Sequence, residues 1–189
     1  MTTPTGDAIL AVNEKINVNP VRWGQISVWL ALAAILAIVG VKLYQVTLGP
    51  VSSGGAPDFT LNTFDGEEIT LSDLAGQVVV INFWASWCGP CEVEAADLEE
   101  TWLAYRERGV IFLGVDYVDT EREALEFIVQ HNVTYPNGPD LGTRISQAYR
   151  IRGVPETFIV GPDGQLAETI IGPTNRTQLT TILEQLLVE

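Results

Sequence analysis

From Ile26 to Val41 every residue except Ser27 is apolar or glycine, and such a run has no polar face to turn to water if it forms a helix on the surface of a soluble domain. Counting outward to Trp23 and Tyr44 gives 22 residues, roughly 33 Å of helix, enough to cross a hydrocarbon core about 30 Å thick. Trp23 and Tyr44 stand at the two ends, where amphipathic rings favour the headgroup region, and Arg22 and Lys42 can snorkel outward. A cleaved signal peptide is the competing reading, with Ser52, Ser53, Gly54, Gly55 and Ala56 as small residues for a cleavage site. The run is long for one, however, and its leading segment carries Asp7 and Glu14 beside Lys15. An uncleaved anchor is therefore expected over residues 23–46. Lys15 and Arg22 before the run outweigh Lys42 after it, which puts a short segment 1–22 in the cytoplasm and the remainder outside.

Charge separates the two parts of the chain. Of 189 residues with net charge −14, residues 1–56 hold Lys15, Arg22 and Lys42 against Asp7 and Glu14, so the acidity lies wholly in residues 57–189. An acidic domain repels phosphate backbones and anionic headgroups, which argues against nucleic acid as a partner. Between the parts, residues 47–56 include a Gly, Pro, Ser and Ala stretch from Gly49 to Ala56 and read as a flexible tether.

Residues 57–189 alternate strand and helix patterns without an internal repeat. Short strands are expected at Asp58–Leu61 and Glu68–Thr70 around Asp65-Gly66, with a helical turn from Ser72. Val78–Trp84 is apolar except for Asn82, as in a strand buried on both faces. A helix over Gly89–Arg108 places Cys91, Ala95, Leu98, Trp102 and Tyr105 on one stripe. Val110–Asp116 is the next strand. Glu121–His131 forms a helix carrying Leu125, Ile128 and Val129, and Arg144–Tyr149 forms a short one. Thr157–Val160 and Leu166–Ile171 make a hairpin around Gly161-Pro-Asp-Gly164, and Asn175 caps a last helix with Leu179, Ile182, Leu183 and Leu186 inward. This order implies an α/β fold with a central mixed sheet flanked by helices.

The chain has two cysteines, both in Trp87-Cys88-Gly89-Pro90-Cys91, where a buried strand hands over to a helix. Cys88 just before the helix meets unpaired backbone N–H groups and the positive end of the helix dipole, which stabilise a negative sulfur. Two intervening residues bring the sulfurs within bonding distance, and Pro90 is tolerated in a first turn. The same pair would serve a structural disulfide or half a metal site. A disulfide closing so short a loop constrains little, and zinc needs four ligands where His131 is the one remaining histidine.

Asn82-Phe-Trp-Ala-Ser-Trp-Cys-Gly-Pro-Cys91, followed at a distance by Gly153-Val-Pro-Glu-Thr-Phe158, resembles the thioredoxin superfamily. More narrowly it resembles the membrane-anchored, AhpC/TSA-redoxin-like thiol:disulfide reductases of cytochrome c maturation, the CcmG/DsbE, ResA and TlpA-like group. The resemblance covers roughly residues 56–189 and implies a thioredoxin-like fold behind the transmembrane helix. It makes Pro155 a cis-proline facing the cysteines, with the Val154 backbone free to pair with an extended client. It implies a partly buried carboxylate at Glu94 that exchanges the Cys91 proton, set against its membership of the solvated group Glu92, Asp97, Glu99 and Glu100. Cytoplasmic thioredoxins commonly place a buried Asp where this chain has Asn82, which leaves that proton role to Glu94. Glu156 matches the Pro-Glu-Thr pattern, with a surface role as its rival. Trp84 and Trp87 flank the site as core and rim aromatics, Trp87 being the one placed to contact a client. His131 is expected as a solvated or C-capping residue.

The resemblance implies dithiol exchange at Cys88 and Cys91 without cofactor or metal, in the reducing direction that a Gly-Pro dipeptide favours. It implies an apocytochrome c haem-site disulfide as client and a CcdA/DsbD-type membrane carrier as electron donor. Two rivals share the motif: a reductase for copper-site cysteines of cytochrome oxidase, and a copper-binding chaperone, for which Met1 and His131 are the only further ligands.

Overall fold

The computed structural model describes residues 23–47 and 49–188. The expected cytoplasmic segment 1–22, with Lys15 and Arg22, lies outside the described residues, as do the side chains of Trp23 and Tyr44. The chain divides into two units, at Thr47 and Leu48. Among the described residues the first contains one helix, α1 (Trp23–Thr47). Its span Gln25–Leu43 has a mean hydropathy of 2.4, and every side chain described there is exposed. A helix apolar on all sides and of this length can cross a membrane.

The second unit is the α/β domain. Its elements are β1 (Thr60–Asn62), β2 (Glu68–Thr70), β3 (Val78–Trp84), α2 (Gly89–Tyr105), β4 (Val110–Asp116), α3 (Glu121–Gln130), β5 (Asn137–Pro139), α4 (Arg144–Tyr149), β6 (Glu156–Val160), β7 (Leu166–Ile171) and α5 (Arg176–Leu186). The main sheet runs β5-β4-β3-β6-β7, and β1 pairs with β2 in a separate hairpin. β3, β4 and β5 are parallel, β6 and β7 antiparallel to their neighbours. The sheet is thus mixed, with two parallel crossovers through α2 and α3 and a closing hairpin.

Strand alternation sorts the core onto two faces. Val79, Ile81 and Phe83 of β3 pack with Leu61, Phe158 and Tyr149 under the hairpin and α4. Val78 and Val80 face the other way, against Leu98 of α2 and Leu179 and Leu183 of α5. Burying a side chain of this size contributes about 1.5–3 kcal/mol, and β3 is buried along its whole length.

Several local readings differ. The first strand begins at Thr60 rather than Asp58, because the Asp58 carboxylate turns back to accept from the amides of Phe59 and Ser72. The helix from Gly89 tightens into a 3-10 turn over Arg106–Arg108 before left-handed Gly109. In α3 it is Ala124 and Phe127 that turn inward, while Leu125 and Val129 stay exposed. β5 has no counterpart in the sequence pattern. Its Gly138 lies so close to the Asn62 carbonyl that a Cβ would collide with it. The stretch read as a flexible tether is bonded to the domain from Val51 on: Val51 N donates to Tyr149 O, Leu166 N to Gly54 O, and Ala56 N to Gly164 O.

Candidate active site

The parallel strands β3 and β4 end side by side, Trp84 opposite Asp116, and the open end of such a sheet is where ligands gather. After Trp84 the chain turns through Ala85–Trp87 and enters α2 with Cys88 as its N-cap. Cys88 and Cys91 are joined as a disulfide, Cα to Cα 5.3 Å. The Cys88 sulfur accepts from the Cys91 amide at 3.2 Å. That N–H, which also donates to Cys88 O at 3.0 Å, lies at the positive end of the helix, so on reduction it faces a thiolate. Both cysteines are nearly enclosed by Trp84, Ala85, Ala95, Ala124 and Phe127. Trp84 stacks on Phe127 with ring centroids 4.6 Å apart and donates its indole N–H to Asn137 Oδ1 at 2.8 Å. Gly114 makes room for that pair, since a Cβ there would strike the Asn137 amide. His131 caps α3 and lays its ring on Phe127.

One turn after Cys91, Glu94 is 1% exposed, more deeply buried than its sequence context suggests. Its Oε1 accepts from Asn82 Nδ2 at 2.8 Å and its Oε2 from Thr174 N at 2.7 Å. Asn82 also donates to Thr157 Oγ1, its register partner on β6. Two neutral donors do not offset the loss of water, and burial pushes Glu94 up to about 7. Of the acids grouped with it as solvated, Glu92 and Glu100 are exposed and Asp97 is half-buried. Glu99 is buried, its carboxylate taking the Thr134 amide and hydroxyl.

Opposite the cysteines, the Val154–Pro155 bond is cis and Val154 is half-buried. Glu156 opens β6 with 2% exposure, so the surface reading fails for it. Oε1 accepts from Arg152 N at 2.8 Å, whereas Oε2 is buried without a hydrogen-bond partner among the described residues. Burial raises this carboxyl too, against the backbone donors of Arg152 and Gly153. Trp87 is 59% exposed and ties its indole N–H to Val118 O at 3.0 Å. The Thr174 amide, buried Asp116 and half-buried Asp119 have no counterpart among the sequence expectations. An acid closing an apolar run at the cysteine end of the sheet was the available signal for Asp116.

The AhpC/TSA family matches residues 54–169. The thiol-disulfide oxidoreductase ResA of Bacillus cereus is 35% identical over 131 residues, 69% of this chain and 76% of that protein. ResA of Geobacillus kaustophilus is 31% identical over 160 residues, 82% and 91% of the two chains. Among solved structures, a candidate thiol:disulfide interchange protein DsbE from Chlorobium tepidum superposes with a TM-score of 0.68 at 26% identity, covering 74% of this chain and 99% of that one.

Proposed function

The chain belongs to the AhpC/TSA family of thioredoxin-like proteins and is a thiol-disulfide oxidoreductase, and from that premise we propose that it is a membrane-tethered reductase in which Glu94 manages the proton of Cys91. The observation that carries this reading is the burial of Glu94 one helical turn from Cys91 with its carboxyl at about 7. A group poised there changes protonation state with little driving force in either direction.

In the reduced protein the Cys88 thiolate attacks one sulfur of a client disulfide. A mixed disulfide forms, and the other client sulfur leaves as a thiolate that takes up a proton. The Cys91 thiol then passes its proton to the Glu94 carboxylate and attacks Cys88 Sγ. The second client sulfur leaves, and the Cys88–Cys91 disulfide remains. Two electrons have passed from the dithiol to the client. Val154 offers its backbone to an extended client segment beside Pro155, Trp87 contacts its side chains, and Glu156 orients the loop through Arg152 N.

The client class is an apocytochrome c with an oxidised haem-site cysteine pair, and the electrons return through a CcdA/DsbD-type membrane carrier. Residues 1–22 lie in the cytoplasm, residues 23–46 span the membrane, and the thioredoxin-like domain 57–189 works outside. Support comes from the ResA and DsbE names of the relatives and from an N-terminal helix able to cross a membrane. The test is capture: Cys91→Ser in native membranes is expected to retain an apocytochrome c on Cys88 through a mixed disulfide that mass spectrometry identifies. Recovery of a different client contradicts the cytochrome assignment, and recovery of no mixed disulfide contradicts the order of attack.

A further inference from the structure

The turn that delivers Cys88 is fastened to the end of β4 by three hydrogen bonds. Tyr117 N donates to Trp84 O at 2.8 Å, Ser86 N to Asp119 Oδ2 at 2.6 Å, and the Trp87 indole to Val118 O at 3.0 Å. Every residue from Trp84 to Trp87 except Ala85 is thus held from the 117–119 segment. That segment adopts a costly shape to do so: Val118, β-branched and 58% exposed, sits at φ 50°. A β-branched residue in the left-handed region is an outlier that persists only where its surroundings impose it. Asp119 is the centre of the fastening, since its Oδ1 also accepts from its neighbour Thr120 N.

Three residues before Asp119 is Asp116, 3% exposed, with Oδ1 buried and without a hydrogen-bond partner among the described residues. Among the described residues no ion pair offsets it. On β3 and β5 its register partners are Trp84 and Pro139, neither of which titrates. Asp140 donates its amide to Asp116 O but turns its carboxylate to Ile145 N and Ser146 N. At the start of α3, Glu123 is engaged by Thr120 and Arg122, and Arg122 by Glu126. Asp119 is the charged group that bears on Asp116, and burial, then the Asp119 charge and a hydrogen bond between the two carboxyls, hold Asp116 up at about 8.

We propose that Asp119 is a positioning residue for Cys88, that a neutral Asp116 leaves its grip intact, and that loss of the Asp116 proton loosens the Ser86–Cys88 turn and slows exchange. The inference rests on exchange at Cys88 and Cys91 but is independent of the client and of Glu94. With Asp116 neutral, Asp119 keeps its grip on Ser86 N. Once Asp116 is ionised its charge repels Asp119, Asp119 is pushed from the amide, and added negative charge disfavours a thiolate at Cys88.

The test is the rate at which dithiothreitol reduces the Cys88–Cys91 disulfide of the full chain, with each variant divided by the wild type at the same pH. This ratio cancels the titration of the reagent and of Glu94. For Asp116→Asn, an isostere that stays neutral, the ratio is expected to rise about tenfold between about pH 6.5 and about pH 9, as the wild type alone loses the Asp116 proton. At about pH 7 Asp119→Ala is expected to slow reduction about tenfold, while Asp119→Asn, which keeps an acceptor for Ser86 N, stays within about threefold. A flat Asp116→Asn ratio with an active wild type overturns the role of the Asp116 proton, and equal losses in the two Asp119 variants overturn the positioning role. If Asp119→Ala does not fold, the pH ratio of Asp116→Asn decides alone. A wild-type disulfide that dithiothreitol cannot reduce overturns the underlying exchange reading as well.

Discussion

The two ends of the central sheet are built from opposite materials. At one end Val78, Val79 and Val80 of β3 meet Val110, Ile111 and Phe112 of β4 in register, and Ile159 and Val160 close the other side. At the other end Asn82, Glu94, Asp116, Asn137, Glu156, Thr157 and Thr174 are all buried, around the cysteine pair. Burying polar and ionisable groups costs stability unless each is fully paired, and here Asp116 Oδ1 and Glu156 Oε2 are not. The apolar end therefore carries the free energy that lets the polar end hold carboxyls near neutrality. Fold and chemistry share one sheet but not one set of residues.

Cys88→Ser is the severest challenge to that division: disulfide exchange should vanish while the circular dichroism spectrum stays that of the folded domain. Loss of the fold along with the activity would mean that the disulfide is also structural. Next comes the apolar end. Phe158, fully buried opposite Ile81, is expected to cost about 3–5 kcal/mol in denaturant unfolding when changed to Ala, with the alkylation rate of Cys88 in the folded fraction unchanged. A slowed Cys88 would show that the two ends are mechanically coupled.

Glu94→Gln gives a smaller and pH-dependent effect. Glu94 sits at about 7 in the fold against 4.5 in an open chain, so its contribution to stability is fully present below about pH 4.5 and is lost as pH rises through about 7. The difference between the variant and the wild type should grow in favour of the variant by on the order of 3 kcal/mol across that window, as read from unfolding midpoints at pH 5 and pH 8. A constant difference would mean that Glu94 is not desolvated. Smallest of all is Arg122→Ala, which removes exposed pairs to Glu123 and Glu126 on α3. Such pairs are weak in water, and neither melting nor exchange should respond measurably.

The same division governs what the sequence made legible. β3, β4 and β7 follow the predicted bounds, because apolar runs are local signals, and α4 has its expected bounds as well. β5 escaped notice because Asn137-Gly-Pro139 contains residues that disfavour strands. Its pairing is set by the exposed edge of β4 and the close approach of Gly138 to Asn62. At the site, the spacing Cys88–Cys91–Glu94 and Val154–Pro155–Glu156 could be read along the chain. The partners that give those groups their properties could not. Thr174 N reaches Glu94 across 80 residues, and Asp119 meets Ser86 across 33. In α3 the period was visible but not its inward phase, since small Ala124 rather than Leu125 fills the space beside the cysteines.

Resolution of the mixed disulfide, followed in a single turnover with a model peptide disulfide from pH 5 to pH 9, tests the role of Glu94 most directly. The wild-type rate is expected to rise through an inflection near 7, where the buried carboxyl titrates, and Glu94→Gln to lack that inflection and to resolve more slowly above it. The same profile in both proteins would contradict a proton transfer between Cys91 and Glu94.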